Sequence, residues 1–210
     1  IDTMLFYTDK NRLVIITRAL LLTQLQVADD GRVTPVQKVK LSIAGSSTER
    51  GIKQVVWAGP GLIAAATGES LVRFWNLAND ENYVLSVGTC KPISRTDKVL
   101  CVGFNPHQRY LAVGTKEGKV GLWRYIGPEE GDVDASAASG GVTSVMGSSL
   151  GGQSVESQQH QFNGSVSASD WDAMTPTAVG WKAAVTCIGW GPLTPGGAVL
   201  AAGGNLGCSV

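Results

Sequence analysis

The chain has 210 residues, and its 17 Lys and Arg balance 17 Asp and Glu to a formal net charge of zero, so no global charge points to nucleic acid or a membrane surface. That length holds one large domain or two small ones. The apolar runs fall far short of the roughly 18 residues of a spanning helix, and no signal peptide opens the chain. The four Cys never lie closer than eleven apart, which excludes CxxC and zinc patterns and suits a reducing compartment.

In chain order, MLFYTDKNRLVIIT reads as strand, turn at Asp9-Lys10-Asn11, strand, and ALLLTQLQV and VTPVQKVKLSI as two more strands around the turn ADDGR. A helix over Leu13–Val27 is the competing reading, but β-branched density and flanking turn signals favour strands. IKQVVW (52–57) follows, then LIAAAT and LVRFW around the turn GES (68–70), then a polar connection and an outer strand near Tyr83–Val87. KVLCVGF (98–104) and YLAVGTKEGKVGLW (110–123) repeat the phrase around KEG (116–118). A third copy starts at AVTCIGW (184–190) and continues in AVLAAGGN (198–205). Trp75 and Trp123 lie 48 apart, and each follows a Thr by eight residues, Thr67 and Thr115.

Such a repeat predicts an all-β chain of four-stranded antiparallel, WD40-like β-propeller blades. Residues 1–126 are expected to hold blades, the first more diverged than the others. Residues 127–170, half of them Gly, Ser or Ala, have too few large apolar side chains to offset the entropy of ordering. They are expected to form an acidic, flexible insertion. WDAMTPT (171–177) then supplies the delayed outer strand of the blade that Trp123 belongs to, and 171–210 goes on to start the next blade or a second propeller. Four blades with a broken last one should not close a seven-bladed ring, so the chain reads as a fragment of a larger propeller.

The expected anchors of the blades are Trp57, Thr67, Trp75, Phe104, Thr115, Trp123 and Trp190. The indoles of Trp75 and Trp123 pack between blades, with the N–H reaching a partner such as the Thr eight residues back. Cys101 and Cys187, three residues before Phe104 and Trp190, are expected to be small buried side chains. Candidates for partner contact are Asp80, Glu81, Asn82 and Tyr83 in the charged connection, and Trp171 and Trp181 flanking the insertion.

No motif points to chemistry. GSSLG (147–151) matches a nucleophile elbow but lies in low-complexity sequence, and the two His of the chain, His107 and His160, do not frame it. GPGLIA (59–64) matches a loose dinucleotide fingerprint but precedes a strand where that motif needs a helix. The sequence therefore predicts no catalytic residue, cofactor site or metal site, and an interaction role instead.

The repeats resemble WD40 blades with departures: Trp75-Asn76 and Trp123-Arg124 stand where Trp-Asp is usual, and the Gly-His before the first strand is missing. MLFYTDKNRLVIIT, VQKVKLS, TGESLVRFWNLANDENYVLS, LAVGTKEGKVGLWR and WDAMTPT together resemble the intraflagellar transport protein 140 family, subunits of intraflagellar transport complex A. The string FWNLANDENYVLS (74–86) is the most specific part. The resemblance implies a non-enzymatic cargo adaptor and scaffold in ciliary trains, with retrograde transport and delivery of membrane proteins into the cilium. It also implies contact with other complex A subunits and ciliary cargo adaptors, and helical repeats elsewhere in the same chain. The competing reading is a vesicle-coat or endosomal WD40 scaffold that contacts membranes, motivated by a charge of about +7 outside the acidic stretch between Arg124 and Lys182.

Overall fold

The computed structural model describes residues 3–17, 19–41, 51–59, 61–77, 81–91, 93–127, 167–174, 182–194, 197–205 and 207–209. Thr3–Tyr7 (β1), Arg12–Ile16 (β2), Leu21–Val27 (β3) and Val33–Lys40 (β4) form the first sheet, each strand antiparallel to the one before it. Turn chemistry makes the first and third reversals, while Leu20 stands at positive φ (59°) in the second. Asn11 takes a left-handed conformation (φ 47°) between β1 and β2, which a short polar side chain tolerates. Gly31 (φ 80°) does so between β3 and β4, where the Asp30 carboxylate accepts the Arg32 amide at 2.9 Å. The span that also reads as a helix is thus two strands of a hairpin.

The second sheet is Gln54–Gly59 (β5), Leu62–Ala66 (β6), Leu71–Asn76 (β7) and Glu81–Ser86 (β8). Its outer strand starts two residues before Tyr83, because Glu81 and Asn82 complete the ladder opposite Asn76 and Trp75, and Val87 already opens a 3-10 turn. The third sheet is Val99–Asn105 (β9), Tyr110–Thr115 (β10), Val120–Tyr125 (β11) and Trp171–Met174 (β12). β12 pairs with β11 in the register Tyr125↔Trp171 to Leu122↔Met174. Cys187–Thr194 (β13), Gly197–Gly204 (β14) and Gly207–Ser209 (β15) form the fourth sheet.

The sheets are blades stacked face to face in chain order, with first strands β1, β5, β9 and β13 each against the next. Period-two alternation gives every inner blade two apolar faces, one for each neighbour. Val14, Ile16 and Leu22 of blade 1 meet Ile63, Ala65 and Trp75 of blade 2. The other face of blade 2, with Ala64, Ala66, Val72 and Phe74, meets Leu111, Val113, Trp123 and Trp171 of blade 3. Cys101 and Ala112 on the far side of blade 3 meet Val185, Ile188 and Ala202. Small residues in β6 and β10 let adjacent backbones approach. No helix among the described residues is long and apolar enough to cross a membrane.

Candidate interaction surface

Register explains what the aromatic residues do. Trp57 pairs with Ile63, and Ile63 with Trp75, so the three make one row across blade 2. Phe104, Leu111 and Trp123 make the same row on blade 3, and Trp190 with Leu200 begins it on blade 4. Each row faces the preceding blade. There Trp57 lies 5.1 Å from the Tyr7 ring and Trp190 lies 6.2 Å from that of Tyr110, both on the preceding blade. Trp123 is fully buried, and Trp57 and Trp190 keep their indole N–H groups buried without an acceptor.

The Thr residues do not serve these indoles. Trp123 donates its N–H to the Thr89 hydroxyl at 3.2 Å, on the loop that leaves blade 2, and not to Thr115. The reason is distance along the strand. Trp123 stands opposite Leu111, and Thr115 lies four residues, roughly 13 Å, further along β10. The indole leans over Gly121, where an added Cβ would lie 2.7 Å from the ring. Thr115 and Thr67, both fully buried, hold the hairpin turns instead. The Thr115 hydroxyl accepts the Lys119 amide at 3.0 Å, and the Thr67 hydroxyl donates to Glu69 at 2.7 Å.

Glu69 is buried in the turn between β6 and β7, and its carboxylate is held by Arg73 in a two-pronged ion pair, Nε to Oε2 at 2.6 Å and Nη2 to Oε1 at 2.9 Å. A carboxylate can be buried here because its charge is neutralised and its oxygens are bonded. The same turn bonds the next blade: the Val99 amide donates to the Glu69 carbonyl at 2.8 Å, and the Gly68 amide to the Val99 carbonyl at 3.1 Å. The corresponding turn of blade 3 accepts the Val185 amide on the Thr115 carbonyl at 2.9 Å. Hairpin turns thus fasten blade 2 to blade 3 and blade 3 to blade 4.

At the outer rim, Tyr83 of β8 and Trp171 of β12 join blades 2 and 3. The Trp171 indole donates to the Tyr83 hydroxyl at 3.0 Å, and its ring lies 5.1 Å from both Phe74 and Tyr125. Phe74 stacks on Tyr83 at 4.6 Å, and the Arg109 guanidinium covers Tyr125 at 4.4 Å. Burial pushes the Tyr83 phenol well above its usual range, with the indole N–H opposing. Of the proposed contact residues, Trp171 (5% exposed) and Tyr83 are therefore built into a junction, while Glu81 and Asn82 are exposed on the rim. Asp80 and Trp181 lie outside the described residues, as do 128–166 of the insertion. Glu81 and Asn82 border a cleft of about 100 Å³ between blades 1 and 2, with Lys40 and Leu41 on one side and Trp75 and Asn76 on the other.

The remaining polar groups organise turns. Asn105 accepts the amides of His107 and Gln108 at 3.0 and 3.2 Å, and Asp97 accepts that of Glu117 at 3.1 Å. Burial pushes the Cys101 thiol up to about 12, and the thiol donates to the Val185 carbonyl at 3.4 Å. Cys187, its counterpart on blade 4, is exposed among the described residues, where the sequence led us to expect burial. Among the described residues no group of His, Cys, Asp and Glu could hold a metal ion. A model of the IFT140 first beta-propeller family matches residues 1–139, a span that contains blades 1 and 2 and the first three strands of blade 3.

Proposed function

Because the chain belongs to the IFT140 first beta-propeller family, and so to a subunit of intraflagellar transport complex A, we propose that its blades act as a non-enzymatic scaffold in retrograde ciliary transport and in delivery of membrane-protein cargo. The family match over residues 1–139 carries this reading. The chemistry of the blades supports it. Among the buried polar side chains, Glu69, Thr67, Thr115 and Asn105 hold turns and junctions. What a stack of such blades offers is a rigid rim, and rigid surfaces lose little conformational entropy on binding. Its partners are other complex A subunits and cargo adaptors, met at the exposed rim that carries Glu81 and Asn82, and its place is the axoneme, the basal body and the cytoplasm.

The test is to tag the protein in ciliated cells and identify by mass spectrometry what co-purifies at physiological salt. Near-stoichiometric recovery of complex A subunits is the expected result, with a loss of one or more of them in the rim variant Glu81→Arg/Asn82→Arg. Recovery of coat or endosomal components, together with flotation of the protein on anionic liposomes, would overturn the reading in favour of a membrane-contacting coat scaffold.

A further inference from the structure

Strand order sorts the connections of blades 2 and 3 into two ends. The β6–β7 and β10–β11 turns lie at the end where β8 runs on into β9, and the β5–β6, β7–β8 and β9–β10 turns lie at the other. At the first end, hydrogen bonds join the loops into one surface. The Glu69 carbonyl accepts the Val99 amide, the Lys98 carbonyl accepts the Lys116 amide at 2.8 Å, and the Asp97 carboxylate accepts the Glu117 amide at 3.1 Å.

Charge is divided between these two ends, although the chain sums to zero. Lys53, Lys91, Arg95 and Lys116 are exposed at the first end, with Lys119 half-buried beside them. None of these side chains forms an ion pair among the described residues. The acids between them are engaged elsewhere: Glu69 is held by Arg73, and Asp97 is 2% exposed with one oxygen on the Glu117 amide. Glu117 is the exposed carboxylate of these loops among the described residues. At the opposite end Asp29, Asp30, Glu81 and Asp172 are exposed, and Arg32 there is paired with Asp30.

The connection 87–98 gives the cations a direction. It leaves the outer strand β8 and enters β9, which packs against β5 and β13. Lys91 therefore stands toward the rim, and Lys116, bonded through its amide to Lys98, stands toward the first strands. Arg95 between them lies over Gly88, where a Cβ would have no room. Ser94 and Thr96 flank Arg95 with exposed hydroxyls. No large apolar side chain of these loops is exposed among the described residues, so the surface offers nothing to bury in the acyl region of a bilayer.

We propose that this end of blades 2 and 3 binds an acidic, extended segment of a partner protein, with its carboxylates set along the line from Lys91 through Arg95 to Lys116 and Lys119. Charge complementarity selects the partner: an acidic segment meets cations that no acid of the chain neutralises, and a basic one is repelled. Arg95 supplies a fork that matches a carboxylate, and the Lys residues supply point charges. The surface lies apart from the rim at Glu81 and Asn82, and the proposal does not rest on which complex the chain serves.

The experiment is fluorescence anisotropy of a labelled oligo-glutamate peptide titrated with the 210-residue chain, at low and at physiological salt. Binding is expected, and it should weaken as salt rises. Lys91→Glu/Arg95→Glu should weaken it at least about tenfold, since each reversal turns an attraction into a repulsion. Lys10→Glu/Arg32→Glu makes the same charge change at the opposite end and should leave affinity within about twofold, because charges beyond a Debye length are screened. Should circular dichroism show that the first variant has lost its strands, Lys116→Glu/Lys119→Glu takes its place. A wild-type chain that does not bind the peptide overturns the proposal, as does an equal loss in both variants or a loss in neither. Vesicles of equal parts phosphatidylcholine and phosphatidylserine that bind more tightly than the peptide, and lose the Lys91→Glu/Arg95→Glu variant, would overturn it in favour of a membrane surface.

Discussion

Replacing Trp171 by Ala should be among the most damaging single changes to this chain. The side chain is 5% exposed, lies 5.1 Å from Phe74 and from Tyr125, and gives its N–H to Tyr83 at 3.0 Å. Truncation of a buried Trp costs about 3–5 kcal/mol in lost transfer energy and cavity. Within that, two aromatic contacts contribute about 0.5–1.5 kcal/mol each, and the bond to Tyr83 about 1 kcal/mol. With total stability of about 5–15 kcal/mol for an ordinary domain, a loss near 4 kcal/mol is a large share. In urea, where slopes run about 1–3 kcal/mol per M, the midpoint should fall by about 2 M. The Trp171→Phe and Tyr83→Phe pair isolates the hydrogen bond, and a double-mutant cycle should return a coupling of about 1 kcal/mol. A Trp171→Ala midpoint within about 0.3 M of the wild type would refute the reasoning, because it would mean that β12 contributes little to holding blades 2 and 3 together.

Two glycines at equivalent positions should respond in opposite ways. Gly103→Ala puts a Cβ 2.8 Å from Ile188 and should cost about 1–3 kcal/mol by overpacking, whereas a Cβ at Gly189 meets nothing within 4 Å and Gly189→Ala should be neutral or stabilising; thermal melts of the two variants check this. Thr89→Val leaves the buried Trp123 N–H without its acceptor and should cost about 1–3 kcal/mol, read as a lower denaturation midpoint. Cys101 gives a pH signature. Its thiol ionises near 9.0 when free of its surroundings and at about 12 in the fold, so between those values the folded chain holds the extra proton. Stability should therefore fall as pH rises through that window, and Cys101→Ala should flatten the fall between pH 9 and 11 in urea titrations while leaving the slope at pH 7–8 unchanged.

Much of this architecture is written locally. Alternation in YLAVGT and VRFW, Gly68 and Gly118 at positive φ, and an Asn at the β1–β2 turn are all readable without knowing what lies across a junction. The family resemblance was also legible, in FWNLANDENYVLS, and the match over residues 1–139 establishes it. The hydrogen-bond partner of Trp123 was not legible. A spacing of eight to Thr115 suggests a pair, yet in a hairpin it places the two groups at opposite ends, and the acceptor is Thr89, 34 residues back on another element. Nor could the sequence tell a rim residue from a junction residue. Asn82 and Tyr83 are neighbours in the same strand, but alternation turns one to solvent and the other onto Phe74, and only the position of blade 3 decides which side matters.

Cys101 and Cys187 mark the limit. The sequence by itself determined that they occupy the same place in their repeats, because the period of the strands and the aromatic three residues later repeat. Only the tertiary structure decided that Cys101 is buried beneath Val185, with its thiol pushed up to about 12, while Cys187 faces outward. The strand pattern says which way a side chain points. Whether anything stands there depends on contacts with a neighbouring blade that no local stretch encodes.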